Sequence, residues 1–441
     1  MSRRCNGSGW KRENTNRRRF LKVAGGAGLA GLAGCLNGEP TVTAAASEPN
    51  DSSDEDDRDV ETPTDTITLG GSMSLSGDFS GTGRLFADAY ELTVDRINDT
   101  GGVEAGDGTT YELELILRDD KSDLSRSEAI YRDLVEAGVE YLVGPYSSGI
   151  TLPVSDVAAN TERPMVAGGG ASTQIFERDN EWIFGLLPTA DTYATTSIEM
   201  AMAQTDPPTS AAILSTDDSF SQDVAAGVRQ TLQSASVTVA VDETIPDEAT
   251  DLSRSLALVE DADADVLFLN GYLNEGVIAA EYLASETIDV DMAWAPGTIL
   301  NDSFGEQTEE NGDYWYGSSP WAATVDSADD VFGSTSEFIS TIESEYGYEP
   351  NYHSAVASAV VQTFQRAFEE ANELTPEAVR NAIREIQFES LYGSVQFDED
   401  GVISRETVVY QWQPDAGRQL VWPEEISEAD PIYPAPTWAD R

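Results

Sequence analysis

The sequence predicts an α/β protein of two lobes, each a parallel sheet with helices on both faces, and three observations carry that prediction. Short apolar runs alternate with amphipathic stretches from residue 67 onward. The same alternation resumes in the second half of the chain. About 375 residues follow position 65, a length that suits two domains.

Taken in order, strands are predicted at ITLGGSM (67–73), YELELILRD (111–119), YLVGP (141–145) and PMVAG (164–168). In the second of these Tyr111, Leu113, Leu115 and Leu117 share one face. Between the strands, RLFADAYELTVDRIN places Phe86, Tyr90, Thr93 and Ile97 on one helical stripe. SRSEAIYRDLVEAG does the same with Ile130 and Leu134 before a glycine stop at Gly138. The second half continues with SAAILST, TVAVDETI, ADVLFLNGY, DMAWAPG and DYWYGSSPW. Strand, helix, strand at this spacing needs crossover connections, and those cover the faces of parallel sheets.

The first 65 residues read differently. RRRFLK at 17–22 precedes the small-residue apolar run VAGGAGLAGLAGC, which stops at Cys35. That order is a signal peptide; Arg17 and Arg18 with Phe20, Leu21 and Lys22 match the twin-arginine export pattern. Leu32-Ala33-Gly34-Cys35 resembles a lipobox, so Cys35 is the expected lipidation site and acyl chains the expected membrane tether. Thirteen apolar residues fall short of the ~20 that span a bilayer. Residues 36–65 are acidic, rich in Ser, Thr and Pro, and without period, as a solvated stalk would be.

Charge narrows the function. After position 35 the chain keeps 17 basic and 79 acidic residues, a net charge of about -62, and Lys121 is its only lysine. Such an excess repels phosphate and excludes nucleic acid as a partner. Spread over the whole chain, it reads as adaptation to molar salt, where the screening length falls to ~3 Å. Cys5 is lost with the signal and Cys35 is taken by lipid, which leaves no disulfide. With His353 the only histidine, a thiol nucleophile, a His-based triad and a zinc site are excluded; no metal, cofactor or enzymatic activity is expected.

From Ile67 to about Trp412 the order of segments resembles the branched-chain amino-acid and amide binding proteins of ABC uptake systems, the type I periplasmic-binding fold. The pieces that carry the resemblance are SMSLSGDFSGTGRLFADAYELTVDRINDTGGV, LRDDKSD, YLVGPYSSG, PMVAGGGAS, ILSTDDSF and LYGSVQFDEDGVISRETVVYQW. It implies two Rossmann-like lobes joined by three crossovers, with lobe I at 66–186 plus 320–402 and lobe II at 187–319 plus 403–441. It also implies a small-molecule solute held between the lobes by a monomer that serves ABC permease and ATPase subunits at the outer face of the membrane.

The candidate site follows from strand ends, beyond which parallel α/β lobes bind ligands. Tyr146, Ser147 and Ser148 follow one predicted strand and the glycine-rich run 168–172 follows another. The helix beginning near Ser148 offers unpaired N–H groups to a carboxylate or a polarised carbonyl. In the similar proteins such loops clamp the ligand's carboxylate and amino group, which nominates Ser147, Ser148, Gly170, Ala171 and Ser172. SGDFSGTG (76–83) should bring Phe79 and Thr82 to the cleft mouth; as a dinucleotide fingerprint it fails, because Phe86 stands at the third glycine position. GYLNEG offers Tyr272 and Glu275, and Phe220 stands where some relatives carry a cleft tyrosine. Trp294 and Trp321 end two predicted strands and read either as aromatic caps over a ligand or as core. Adjacent Asp119 and Asp120 read as capping groups, since strand neighbours point to opposite faces.

One departure bears on the ligand. Relatives that bind α-amino acids often carry an acid after the strand corresponding to DMAWAPG; here Pro296-Gly297-Thr298 follows. Either Glu275 takes that role or the ligand is an amide, a urea-like molecule or an aromatic carboxylate. Two other functions remain open: a ligand sensor that signals through a membrane receptor, and a secreted hydrolase using carboxylates such as Asp119 or Asp217. The chain lacks the G-x-S-x-G and H-E-x-x-H patterns that a hydrolase of either common type would need.

Overall fold

The computed structural model describes residues 65–441 except 179, 247, 248 and 326. Arg17, Arg18, Cys35 and residues 36–64 lie outside the described residues.

The chain opens with β1 (Asp65–Met73) and α1 (Ser80–Asp99), then β2 (Val103–Glu104), β3 (Thr110–Asp119), α2 (Leu124–Glu136), β4 (Tyr141–Val143) and α3 (Ser148–Thr161). β5 (Met165–Ala167), α4 (Thr173–Phe176) and β6 (Ile183–Gly185) complete a six-stranded sheet of order β2-β3-β1-β4-β5-β6. Its strands run parallel apart from β2, which pairs antiparallel with β3 at one edge. The chain then crosses to a second lobe through α5 (Thr195–Met202). There β7 (Ser210–Thr216), α6 (Ser219–Ser234), β8 (Thr238–Ile245), α7 (Ser253–Asp261), β9 (Val266–Asn270), α8 (Leu273–Glu286), β10 (Met292–Trp294), α9 (Asp302–Thr308) and β11 (Trp315–Ser319) follow one another.

A second crossing returns the chain to the first lobe. Here the short strands β12 (Ala328–Asp329) and β13 (Gly333–Ser334) lead into α10 (Thr335–Tyr346), α11 (Tyr352–Glu370) and α12 (Pro376–Glu385). Tyr346 Oη on α10 donates to the carbonyl of Asp88 on α1, and the hairpin of β14 (Gln387–Ser390) and β15 (Gly393–Gln396) precedes a bridge from Val402 to Gly185 beside β6. A third crossing delivers β16 (Val408–Gln413) and β17 (Gly417–Trp422) to the second sheet, whose order is β17-β16-β11-β10-β9-β7-β8. β7 to β11 are parallel, and the β16–β17 hairpin is antiparallel to them and within itself. Both sheets are therefore parallel at the centre and antiparallel at an edge, a refinement of the purely parallel sheets the sequence predicts.

Local chemistry explains the elements. On α1 the stripe of Phe86, Tyr90, Thr93 and Ile97 is buried against the core. Asp123, Asp218, Asn351 and Thr375 cap the starts of α2, α6, α11 and α12 with side-chain oxygens that accept from N–H groups of the first turn. Gly138, after α2, has φ +95°, a left-handed conformation that glycine adopts without a Cβ penalty.

Strand order locates the cleft. In the first sheet β1 lies between β3 and β4, so the crossover from β1 runs to β3 on one side and the next, from β3, returns past β1 to β4 on the other, which places the reversal at the β1/β4 junction. In the second sheet the same reversal falls between β7 and β9. Ligands of open α/β sheets bind at such switch points, outside the carboxyl ends of the strands.

Candidate functional site

The loops leaving the two switch points meet. Phe79, on the loop after β1, packs edge-on against Tyr146, on the loop after β4, with ring centroids 5.6 Å apart. It also lies 5.4 Å from the ring of Tyr272, which follows β9 in the other lobe. Tyr272 in turn packs 6.1 Å from Phe220, which follows β7, and Tyr193 on the first crossing packs edge-on against Phe220 at 5.4 Å. Phe79, Tyr146, Phe220 and Tyr272 thus line one interlobe cleft, together with Tyr193.

The loop that carries Phe79 is pinned by Asp119 and Asp120. Asp119 accepts from the amides of Leu75 and Ser76, from Ser76 Oγ and from the Lys121 amide. Asp120 is fully buried and accepts from the hydroxyls of Ser72 and Ser74 and from the Ser122 amide. Burial pushes the Asp120 carboxyl above its ordinary range against the pull of those hydrogen bonds. Next along, Ser122 Oγ accepts from the amide of Phe79 at 3.0 Å, while the neighbouring Lys121 is exposed. The acidic pair is a loop anchor, with no acid-base partner in these contacts.

Polar groups join the lobes across the cleft. Ser147 caps the start of α3 without a side-chain hydrogen bond to that helix. Tyr272 Oη lies 3.3 Å from Asp218 Oδ1 at the start of α6. Ser172 Oγ donates to Asp223 Oδ2 of α6 at 2.5 Å, and the Thr173 amide donates to the same oxygen at 3.0 Å. Tyr352, at the start of α11, brings its hydroxyl to 3.3 Å from the position a Cβ would take on Gly297, in the loop after β10. That hydroxyl lies beside the segment where relatives that bind α-amino acids often carry an acid.

Several nominated residues act within the protein. Ser148 Oγ accepts from the amides of Ala171 and Ser172 at 2.9 and 3.1 Å, so Ser148 ties the two glycine-rich clusters to each other and uses the two amides offered to a ligand. A Cβ on Gly170 would meet Thr151 Oγ1 at 2.7 Å and Ile175 Cδ1 at 2.9 Å. The glycine makes room for α3 and α4; the space expected for a ligand is filled by protein. Glu275 takes the Tyr272 amide on Oε2 at 3.1 Å and an Asn274 amide hydrogen on Oε1, so it caps α8. Trp294 is fully buried in the second lobe, where Nε1 donates to Ser197 Oγ and the ring packs against Phe268, a core position rather than a cap on the cleft. Trp321 lies on the second crossing and donates from Nε1 to the carbonyl of Leu391, beside the β14–β15 turn.

Sequence reasoning missed Asp223, Tyr193, Tyr352 and His353. The cap Asn351 before Tyr352-His353 marks a helix start, but nothing in the sequence says that this start reaches the other lobe. Asp223 sits in the second turn of α6, where nothing in the sequence marks it as facing the other lobe.

Burial raises the hydroxyls of Tyr193, Tyr272, Tyr352 and Tyr392 above their usual range and that of Tyr146 to about 12. They stay neutral and can both donate and accept. His353 is pushed down to about 3 by burial and is neutral as well. No basic group appears in the contacts above. No group of three or more His, Cys, Asp or Glu positioned for a metal exists among the described residues.

A two-lobed α/β chain with a tyrosine-rich cleft between its switch points defines a cleft-binding protein of the periplasmic type. The family described as periplasmic binding protein matches residues 66–418, and the chain belongs to it. The leucine-, isoleucine-, valine-, threonine-, and alanine-binding protein of Pseudomonas aeruginosa is 23% identical over 81% of this chain and 92% of its own length. Leu/Ile/Val-binding protein homolog 8 of Brucella abortus is 24% identical over 48% of this chain, and the chain spans 53% of that relative. Among solved structures, the isoleucine complex of the branched-chain amino acid transporter substrate binding protein LivJ from Streptococcus pneumoniae superposes with a TM-score of 0.70. It is 20% identical and covers 81% of this chain and 100% of its own. An ABC transporter solute binding protein of Rhodopseudomonas palustris BisB5, in complex with 3,4-dihydroxy benzoic acid, gives 0.69 at 17% identity over 80% and 95%. Both share the fold.

Proposed function

We propose that the chain is a solute-binding lipoprotein of an ABC uptake system, exported by the twin-arginine route and anchored by Cys35. It captures a small organic solute between the lobes and delivers it to a permease. The observation that carries this reading is the meeting of the two switch points: Phe79 with Tyr272 and Ser172 with Asp223 are contacts with one member in each lobe. A ligand placed there touches both lobes, and contacts with the second stabilise closure. The start of α3, with the Ser148 and Gly149 amides, is suited to a carboxylate or carbonyl. Relatives named for branched-chain amino acids and a fold neighbour holding an aromatic acid make those two classes the first to test.

Isothermal titration in about 2 M KCl with amino acids, amides and aromatic acids tests the reading. Saturable one-to-one binding that Tyr272→Ala weakens about tenfold or more supports it; turnover of a bound amide would replace it with a hydrolase. For the anchor, Arg17→Lys with Arg18→Lys should leave precursor in the cytoplasm, and Cys35→Ser should give exported protein free of lipid. Normal export and lipidation of the double lysine variant rules the route out.

A further inference from the structure

His353 is the second residue of α11, buried to 6% exposure, and its ring lies tilted by 32° against that of Tyr352 at 3.8 Å between centroids. It meets Tyr146 edge-on at 5.5 Å and Phe86 at the same distance. Tyr146 lines the cleft and Tyr352 reaches the loop of Gly297 in the other lobe, so the imidazole lies between two cleft tyrosines.

The tautomer follows from its neighbours. Asn351 Oδ1 accepts from the His353 backbone amide at 2.9 Å, which identifies that atom as the oxygen. It also lies 3.0 Å from His353 Nδ1, so Nδ1 carries the proton and donates. Nε2 is left with a lone pair, buried and without a partner among the described residues. A buried acceptor left unpaired is costly, and such atoms are rare in folded proteins. The neutral ring does not escape the cost by taking a proton, because burial opposes its charged form.

We propose that His353 Nε2 is a specificity-determining acceptor for the solute, receiving a hydrogen bond from an N–H or O–H group at the ligand end that enters between Tyr146 and Tyr352. This deepens the solute-binding reading and rests on it. The ligand class it selects is a small solute with a hydroxyl or amide donor on its body, in preference to a purely aliphatic one. An aliphatic side chain at that place leaves the buried Nε2 unpaired, whereas a donor of the same size satisfies it. Sites built around a hydrogen bond discriminate strongly against the analogue that lacks it.

The chain's single histidine makes the test direct. Protein labelled with ¹⁵N-histidine shows one imidazole, and at neutral pH the free form should report protonated Nδ1 and bare Nε2. The probes are two isosteric pairs, threonine with valine and asparagine with leucine, titrated in about 2 M KCl by calorimetry and by the Nε2 resonance. The expected result is that threonine or asparagine binds at least tenfold more tightly than its partner and moves the Nε2 signal upfield. His353→Phe, which keeps the ring packing, should erase that preference. The inference is overturned, with solute binding intact, if the aliphatic probes bind as tightly as their partners or if binding leaves Nε2 unmoved. A proton on Nε2 in the free form also overturns it. Absence of binding by all four probes, with no change at Nε2, overturns the inference and counts against the amino-acid class of the wider reading.

Discussion

Removing the Ser148 hydroxyl leaves two buried amides, those of Ala171 and Ser172, without their acceptor. Each unsatisfied group costs roughly 1–3 kcal/mol, so Ser148→Ala should lower the melting temperature of the ligand-free protein by several degrees in high salt. A melting curve unchanged from wild type would show that the hydroxyl is not the tie between the two loops. His353 gives a second test, in pH. Its native value of about 3 lies below the ordinary value of 6.5, so between those limits the unfolded chain takes up a proton that the native state declines. The contribution is complete above pH 6.5 and is lost as pH falls toward 3, by roughly 3–5 kcal/mol in all. Asp120, raised by burial, acts with the opposite sign: its contribution is present at low pH and lost as pH rises through its native value. The diagnostic quantity is therefore the difference between wild type and His353→Phe, whose stability should fall less between pH 6.5 and 4 in denaturant titrations.

At the scale of elements, strand ends and helix starts such as Ser148 are readable, whereas the reach of an element into the other lobe is not. Five second-lobe segments predicted from apolar runs contain β7 to β11, and the segments just after β1, β4, β7 and β9 carry Phe79, Tyr146, Phe220 and Tyr272 to one cleft. Alternation of strand and helix fixes which loops sit at the carboxyl edge, and that edge is where the site forms. The β16–β17 hairpin and the start of α11 escaped, because a strand's partner and a helix's reach across a cleft depend on tertiary packing rather than on period. Trp294 shows the limit from the other side, since an aromatic at a strand end reads the same whether it faces Phe268 in the core or a ligand. The helix α6 carries a prediction of its own: Asp223→Ala removes the acceptor shared by Ser172 and Thr173 across the lobes. The ligand-free variant should be more open than wild type by small-angle scattering in the same salt, and an identical radius of gyration would show that this contact does not hold the lobes together.

For the whole molecule, the excess of acidic residues governs behaviour in solution. The ion pairs among the described residues are all made by arginine, and they neutralise only a few of the carboxylates. Dilution from molar salt to 0.1 M lengthens the screening distance from ~3 Å to ~10 Å, which restores repulsion among the rest. Circular dichroism should show loss of structure on that dilution and recovery on return to high salt; an unchanged spectrum at 0.1 M would remove the halophilic reading. The near absence of lysine has a practical side as well. Lys121 sits exposed on the loop after β3, next to the Ser122 that holds the backbone of Phe79. Among the described residues it is the one lysine that an amine-reactive dye can label, beside the rim where the two lobes meet. A single fluorophore attached there, without any engineered cysteine, would turn the wild-type chain into an optical sensor of its own closing.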